Sequence, residues 1–213
     1  MVNQRTFRIT AATLLPCLAL LAGCRALMMP LVVFGAEPTR KVAAEYPYLA
    51  DKTICIAVWL DNNTRFEYPH AQLELSEHVA AALQPHIDNV AFVPNKRVVA
   101  YQRSHPNWDR EDPAVLGARF RADRLMLIEV TQYTTREPDS PHLYRGRIAA
   151  SVKVYDTEYE NAAPVYRTRV EVAYPPKSVG EWGADDRSIR RGAMELFAAE
   201  LARKFYDHRV KVE

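Results

Sequence analysis

The residues of this chain best placed for chemistry are Leu21-Ala22-Gly23-Cys24. A cysteine directly after two small residues, at the end of an apolar run, stands where a leader would be cut on its N-terminal side. Arg5 and Arg8 precede the apolar stretch from Ile9 to Ala22, which is the charge-then-apolar order of a secretory leader. Cys24 is therefore expected to carry covalent lipid once residues 1–23 are removed. No other cofactor is expected.

A membrane-spanning helix over Ile9 to Phe34 explains the same stretch less well. Pro16, Pro30 and Arg25 interrupt it, and an arginine at mid-span costs about 2.5–3.5 kcal/mol on insertion scales. A cut before Cys24 accounts for the small residues and the arginine together. Each buried methylene of an acyl chain contributes about 0.8 kcal/mol, and stable anchoring takes more than one chain.

The remaining reactive side chains show no catalytic pattern. His70, His78 and His86 recur every eight residues, which separates neighbours by two helical turns, too far for the i, i+4 pair of a His-Glu-x-x-His metal site. His105, His142 and His208 have no carboxylate or cysteine at ligand spacing, so no metal is expected. There is no Gly-x-Ser-x-Gly elbow, phosphate-cradling loop or dinucleotide fingerprint. The acid pairs Glu111-Asp112 and Asp185-Asp186 read as helix caps. Cys55, inside an apolar run, reads as a core thiol without a disulfide partner once Cys17 has left with the leader and Cys24 is acylated. The better candidates are loop aromatics, because tryptophan and tyrosine carry a disproportionate share of interface energy. Trp108 lies in His105-Pro106-Asn107-Trp108-Asp109-Arg110, and Trp182 follows Tyr174-Pro175-Pro176 by a short glycine-containing loop. Trp108, Trp182 and Tyr174 are the expected partner-binding residues, and no enzymatic activity is expected.

Charge excludes a further class of function. The chain has 28 Lys and Arg against 26 Asp and Glu. The leader takes two arginines and no acid with it, so the mature chain is formally neutral. A nucleic-acid partner would call for clustered basic residues, and none is expected.

The elements that would position these residues follow from periodicity. Thr53 to Leu60 is a β-branched apolar strand, stopped by Asp61-Asn62-Asn63-Thr64. A helix over Ala71 to Gln84 carries Leu75, Val79 and Leu83 inward and ends at Pro85. Val90 to Val93 is a short strand and Lys96 to Arg103 a helix. Asp112-Pro113 opens another helix as cap and first residue. Leu125 to Val130 reads as a strand buried on both faces. Two alternating strands follow, with Ile148, Ala150, Val152 and Val154 on one face of the first, and Val170 and Val172 between Tyr166 and Tyr174 in the second. A final helix capped at Asp185 or Asp186 runs to about Tyr206. The expected fold is α+β: a single mixed sheet of about five strands with helices packed mainly on one face. Residues 24–52 are read as lipidated cysteine and membrane-proximal tether, and 53–213 as the domain.

This order resembles a group of small envelope lipoproteins that includes the curli secretion channel subunit, the lipoprotein activators of penicillin-binding proteins, and the N-terminal domain of the Tol system's β-propeller protein. The local match is Gly117-Ala118-Arg119-Phe120-Arg121-Ala122-Asp123 leading into Arg124-Leu125-Met126-Leu127-Ile128. Lys204-Phe205-Tyr206-Asp207-His208, with Tyr174-Pro175-Pro176, is similar to lipoproteins of planctomycete-type bacteria, a resemblance that implies no activity. The resemblance implies a protein of the bacterial cell envelope that serves as a binding, assembly or transport accessory, with an envelope protein or a further copy of itself as partner. The extra membrane-hairpin segments of the channel-forming member have no counterpart here. Arg25 stands where an aspartate signals inner-membrane retention in some Gram-negative lipoproteins, so that rule implies the outer membrane. Two alternatives are a homo-oligomeric secretion or channel accessory, and a small-molecule carrier or enzyme with a site between sheet and helices.

Overall fold

The computed structural model describes residues 39–137, 140–161, 163–176, 181–182 and 185–211. Residues 1–23, the expected lipidation site Cys24 and the first part of the expected tether lie outside the described residues. Two compact units are present. The smaller includes Thr39–Val42 and Arg209–Lys211, and the larger is Ala43–His208. Strands β1 (Thr39–Val42) and β8 (His208–Lys211) form a two-stranded sheet.

The larger unit is built from β2 (Thr53–Trp59), α1 (Asn62–Glu67), α2 (Ala71–Leu83), β3 (Ala91–Phe92) and α3 (Asn95–Ser104). A 3-10 turn (Trp108–Arg110) and α4 (Pro113–Arg119) follow, then β4 (Arg124–Glu137), β5 (Ser140–Asp156), β6 (Tyr166–Tyr174), β7 (Glu181–Trp182) and α5 (Asp186–Ala202). The sheet runs β3-β2-β4-β5-β6, with β7 paired to β5. The β3-β2-β4 part is parallel and the rest antiparallel, so the expected α+β class and mixed five-strand sheet are present.

The two longest helices, α2 and α5, cover one face. Ile54, Ile56, Val58, Met126, Ile128, Ala150 and Val152 point into this layer against Leu75, Val79, Phe197 and Leu201. The approach of α5 is close enough to require two glycines. A Cβ on Gly146 of β5 would lie 2.7 Å from that of Ala193, and one on Gly192 would strike the Tyr174 ring. On the opposite face Cys55, Ala57 and Leu125 are covered by Val98, Trp108, Leu116 and Phe120, a second and smaller core.

Several local rules produced these elements as expected. Asp112 accepts the Ala114 amide at 2.8 Å with Pro113 at the first helical position, and Asp185 accepts the Arg187 amide at 2.8 Å. Other elements differ from expectation. Asp61-Asn62-Asn63-Thr64 does end β2, yet Asp61 also caps α1 through the Asn63 and Thr64 amides. The last helix ends at Ala202 rather than near Tyr206, though Phe205 is still buried. The packed unit also begins earlier than the expected tether boundary, since Tyr46 and Leu49 are only 7% and 0% exposed. Tyr46 stacks on Tyr166, and the Glu45 and Tyr46 amides both donate to the Lys204 carbonyl. Glu45 itself accepts from Lys204 Nζ and the Tyr166 hydroxyl, each at 2.6 Å. Those contacts hold the Glu45 carboxyl below its ordinary pKa, Lys204 contributing most.

One carbonyl fixes how the helices meet the sheet. The Ile54 carbonyl accepts the Val93 amide on the β3 side, and carbonyls two residues apart along a strand point the same way. Val58 therefore faces that side too, beyond the end of the two-residue β3. Gln72 Nε2 of α2 and Gln102 Nε2 of α3 both donate to it, at 2.9 and 3.1 Å. Replacing either glutamine by leucine leaves the other donor in place and is expected to cost under about 1 kcal/mol. Replacing both strands a buried acceptor and should cost about 1–3 kcal/mol beyond the sum of the single changes. Urea unfolding of the four proteins of this cycle measures the coupling; additivity would refute the shared acceptor.

Candidate functional site

The second core does not reach the end of the sheet. Along β2, Cys55, Ala57 and Trp59 share one face, and the parallel register places them beside Leu125, Leu127 and Glu129 of β4. Trp108 and Leu116 roof the first part of this face. Beyond them lies an open cavity of about 340 Å³ on the same face, bounded by Trp59 at the end of β2.

Its floor is Leu125 and Leu127, and its walls are Trp59, Trp108, Pro113 and Leu116, with Asp109, Glu111, Glu129 and Thr131 adding polar groups. Thr131 reaches the cavity through a break in the β4–β5 ladder, where Val130 pairs with Ala150 and Gln132 with Ala149, leaving Thr131 as the extra residue. Such a bulge re-aims side chains on either side of it. It also returns Tyr133 and Thr135 to the buried face that Met126, Ile128 and Val130 occupied before it.

The three carboxylates are held differently. Asp109 Oδ2 accepts the Trp59 indole N–H at 3.3 Å, and Asp109 makes no ion pair among the described residues. Glu129 pairs with Lys153 at 2.7 Å. Glu111 Oε1 accepts the Tyr101 hydroxyl at 2.7 Å. Its Oε2 is buried, accepts no hydrogen bond among the described residues, and has the Arg119 guanidinium 3.7 Å away. Burial, aided by the bond to Glu111, holds the Tyr101 hydroxyl above its ordinary pKa. Among the ten described lining residues there is no lysine, arginine or histidine.

Of the expected partner-binding aromatics, Trp108 and Tyr174 lie on opposite faces of the sheet. Trp108 is 3% exposed, so it is a roof over Cys55 and Leu125 and not an exposed anchor. Its ring is buried because the 3-10 turn folds it onto the apolar face that the small Cys55 and Ala57 leave open. Tyr174 packs on the opposite face, against Gly192 of α5, and is half-buried. The Trp182 backbone pairs with Leu143 in β7. Trp59 was hidden from the sequence reading inside an apolar strand. Its signal was the small-small-large series Cys55, Ala57, Trp59 on one face. Of the histidines, His86 stacks on Tyr206 and His105 on Tyr101, both at 3.9 Å, while His70 and His78 face Arg187, Arg190 and Arg191 across a groove between α2 and α5.

No protein-family model matches the chain, and no curated protein matches it in sequence. Among solved structures it is similar to the PelC dodecamer from Paraburkholderia phytofirmans, at 13% identity and a TM-score of 0.44, over 79% of this chain and 97% of that one. Lipoprotein GNA1162 from Neisseria meningitidis aligns over 57% of this chain and 81% of its own at 15% identity and a TM-score of 0.42. A minor lipoprotein from Acinetobacter baumannii aligns over 74% and 92%, at 11% identity and a TM-score of 0.32. Two of these three are bacterial lipoproteins. No activity is carried over from these likenesses.

Two outcomes follow from this geometry. Trp108→Ala is expected to destabilise the domain by about 3–5 kcal/mol, the range for emptying a buried aromatic site, and half-exposed Trp59→Ala by less than half of that; equal midpoints in urea would contradict the roof assignment. Burial pushes the Cys55 thiol up to about 12, and burial also raises the Tyr133 and Tyr166 hydroxyls. Unfolded thiols and phenols ionise near ~8.5 and ~10, so above those values the unfolded chain releases protons that the native chain keeps. Stability should therefore fall as pH rises from about 8.5 towards 12. Below that window Cys55 should resist an aromatic disulfide reagent until the protein unfolds; rapid native labelling at pH 8 would refute its burial.

Proposed function

We propose that this chain is a lipid-anchored protein of the bacterial envelope that holds a ligand in the cavity between Trp59 and Trp108, by binding and without chemistry. The observation that carries this reading is the cavity itself. An apolar slot of about 340 Å³ with a few convergent polar groups falls within the ~300–1,000 Å³ usual for small-molecule sites. Of the expected roles, the ligand carrier is the one this geometry favours, because Trp108 and Tyr174 lie on opposite faces of the sheet and cannot present one partner surface.

Binding without catalysis is supported by the lining. It offers no serine, cysteine or histidine nucleophile among the described residues, and Glu129 is already neutralised by Lys153. The anchor rests on Leu21-Ala22-Gly23-Cys24. Confining a binding domain to a membrane surface raises its effective concentration for ligands released or consumed there. Arg25 after the cysteine supports the outer membrane as its location.

The test has two arms. Cys24→Ala is expected to move the protein from the membrane fraction to the soluble one and to abolish labelling by radioactive palmitate; retention of either would refute the anchor. For the cavity, the neutral dye N-phenyl-1-naphthylamine should brighten on mixing with the domain. Leu127→Trp fills the slot from its half-buried floor, and should abolish the brightening while leaving the circular dichroism spectrum unchanged. A dye signal absent from the parent, or equal in a folded Leu127→Trp variant, would overturn the reading.

A further inference from the structure

We infer that β6 is an interface for a second copy of this chain, which pairs with it antiparallel across a twofold axis at Val170 and continues the sheet. The cavity plays no part in this surface. The sheet ends at β3 on one side and at β6 on the other. With only two residues, β3 is too short to receive a long strand, so the sheet cannot extend head to tail from copy to copy. β6 has nine residues, and a self-complementary contact closes a pair of such strands.

One bond shows which main-chain groups of β6 face outward. The Val154 carbonyl accepts the Val165 amide, so Val154 of β5 faces β6. Main-chain groups alternate in direction along a strand, so those of Ile148, Ala150 and Val152 face β6 too. The register sets them against Val172, Val170 and Thr168. The N–H and C=O groups of Arg167, Arg169, Glu171 and Ala173 therefore point away from β5. They bond to no other main-chain group among the described residues. Such a row is a template for another strand.

Charge on an edge strand usually keeps other strands away; here its order selects the partner. Arg167, Arg169 and Glu171 are exposed while Val170 and Val172 are buried. Arg169 and Glu171 lie 4.0 Å apart with side chains 71% and 64% exposed, a loose pair that can exchange partners. When the Val170 residues of two copies face each other, Arg169 meets Glu171 of the second copy and Arg167 meets Ala173. Two hydrogen bonds per facing pair give about eight in all. Opposite charges then stand directly across the seam on both sides of the axis, the stabilising arrangement for cross-strand pairs. A slip of two residues one way opposes Arg169 to Arg169, and the other way Glu171 to Glu171. A slip of one residue puts outward groups against inward ones. A second copy carries the matching order by symmetry, which an unrelated strand does not. One strand pair buries less than the ~1,000 Å² of a stable interface, so the dimer is weak in solution and gains from confinement by the proposed anchor.

The experiment is sedimentation velocity on residues 36–213, which hold both buried cores, followed from about 5 to about 500 µM to reach a weak association. The parent is expected to pass reversibly from monomer to dimer, and high salt should weaken the dimer. Arg169→Glu and Glu171→Arg each place like charges across the seam twice, and each should raise the dissociation constant at least about tenfold. The double swap Arg169→Glu/Glu171→Arg should return it to within about threefold of the parent. The two single variants, mixed in equal amounts, should pair with each other, because both facing positions are then opposite in charge. Circular dichroism checks that every variant is folded. A parent that stays monomeric at the highest concentration would overturn the interface. So would single swaps that dimerise like the parent, which places self-association on another surface. A folded double swap without recovery, or single variants that ignore each other, would refute the axis at Val170. Dye binding in the cavity should be equal in all of these proteins, so the ligand reading is decided separately.

Discussion

The fold depends on how the carbonyl of Val58 is satisfied. A central parallel strand normally has a ladder on each side, but β3 supplies only two residues. Beyond them β2 would bury an acceptor with nothing to accept from. Gln72 and Gln102 answer this from two different helices, and in doing so they hold α2 and α3 against the same point of the sheet. Gln102 accepts a cost in the process, since its own Oε1 has no partner among the described residues. The chain leaving α3 passes the end of β2, where Asp109 accepts the Trp59 indole N–H, and the Trp108 turn lies over the face opposite α2.

The cavity follows from this arrangement and is not an independent invention. A turn of three residues and a seven-residue helix roof Cys55, Ala57 and Leu125, but they are too short to cover β4, which continues for fourteen residues. The uncovered stretch holds Leu127, Glu129 and Thr131. A bulge at Thr131 brings a hydroxyl to the rim and swaps the faces of the strand beyond it. The same irregularity therefore bounds the open site and lets Tyr133 and Thr135 return to the main core.

How much of this could be read in the sequence depended on whether a local rule or a long-range contact decided each feature. The alternation in β5 and β6 and the Asp-Pro start of α4 are local, and they were legible. Helix α1 was not, because all of its residues face water or nearly so and it carries no apolar stripe. Its cap, Asp61, is the same residue that signals a turn. Tyr46 and Leu49 sit singly among charged and proline residues, so only their distant partners Tyr166 and Phe205 reveal them as core. Trp108 gave a true signal of importance with the wrong exposure. A tryptophan between polar loop residues has the same sequence whether it stands in solvent or turns inward, and the small residues that make room for it are fifty positions away. Of the site's carboxylates only Glu111 was legible, as part of a cap pair; Glu129 comes beside Trp59 through the register of β2 against β4, which no local pattern reveals.

The clasp at Glu45 has a mechanical meaning for the anchor proposed at Cys24. Within the larger unit, a pull along the segment leading to Glu45 would meet two backbone bonds to Lys204, the Lys204 ammonium and the Tyr166 hydroxyl together, so the load would be shared among parallel bonds and not taken by one after another. It enters on the side of the sheet where Phe205 and Tyr166 pack, while Trp59 and Trp108 line the other side. Tension from the proposed anchor would thus enter the larger core, on the face opposite the proposed binding slot.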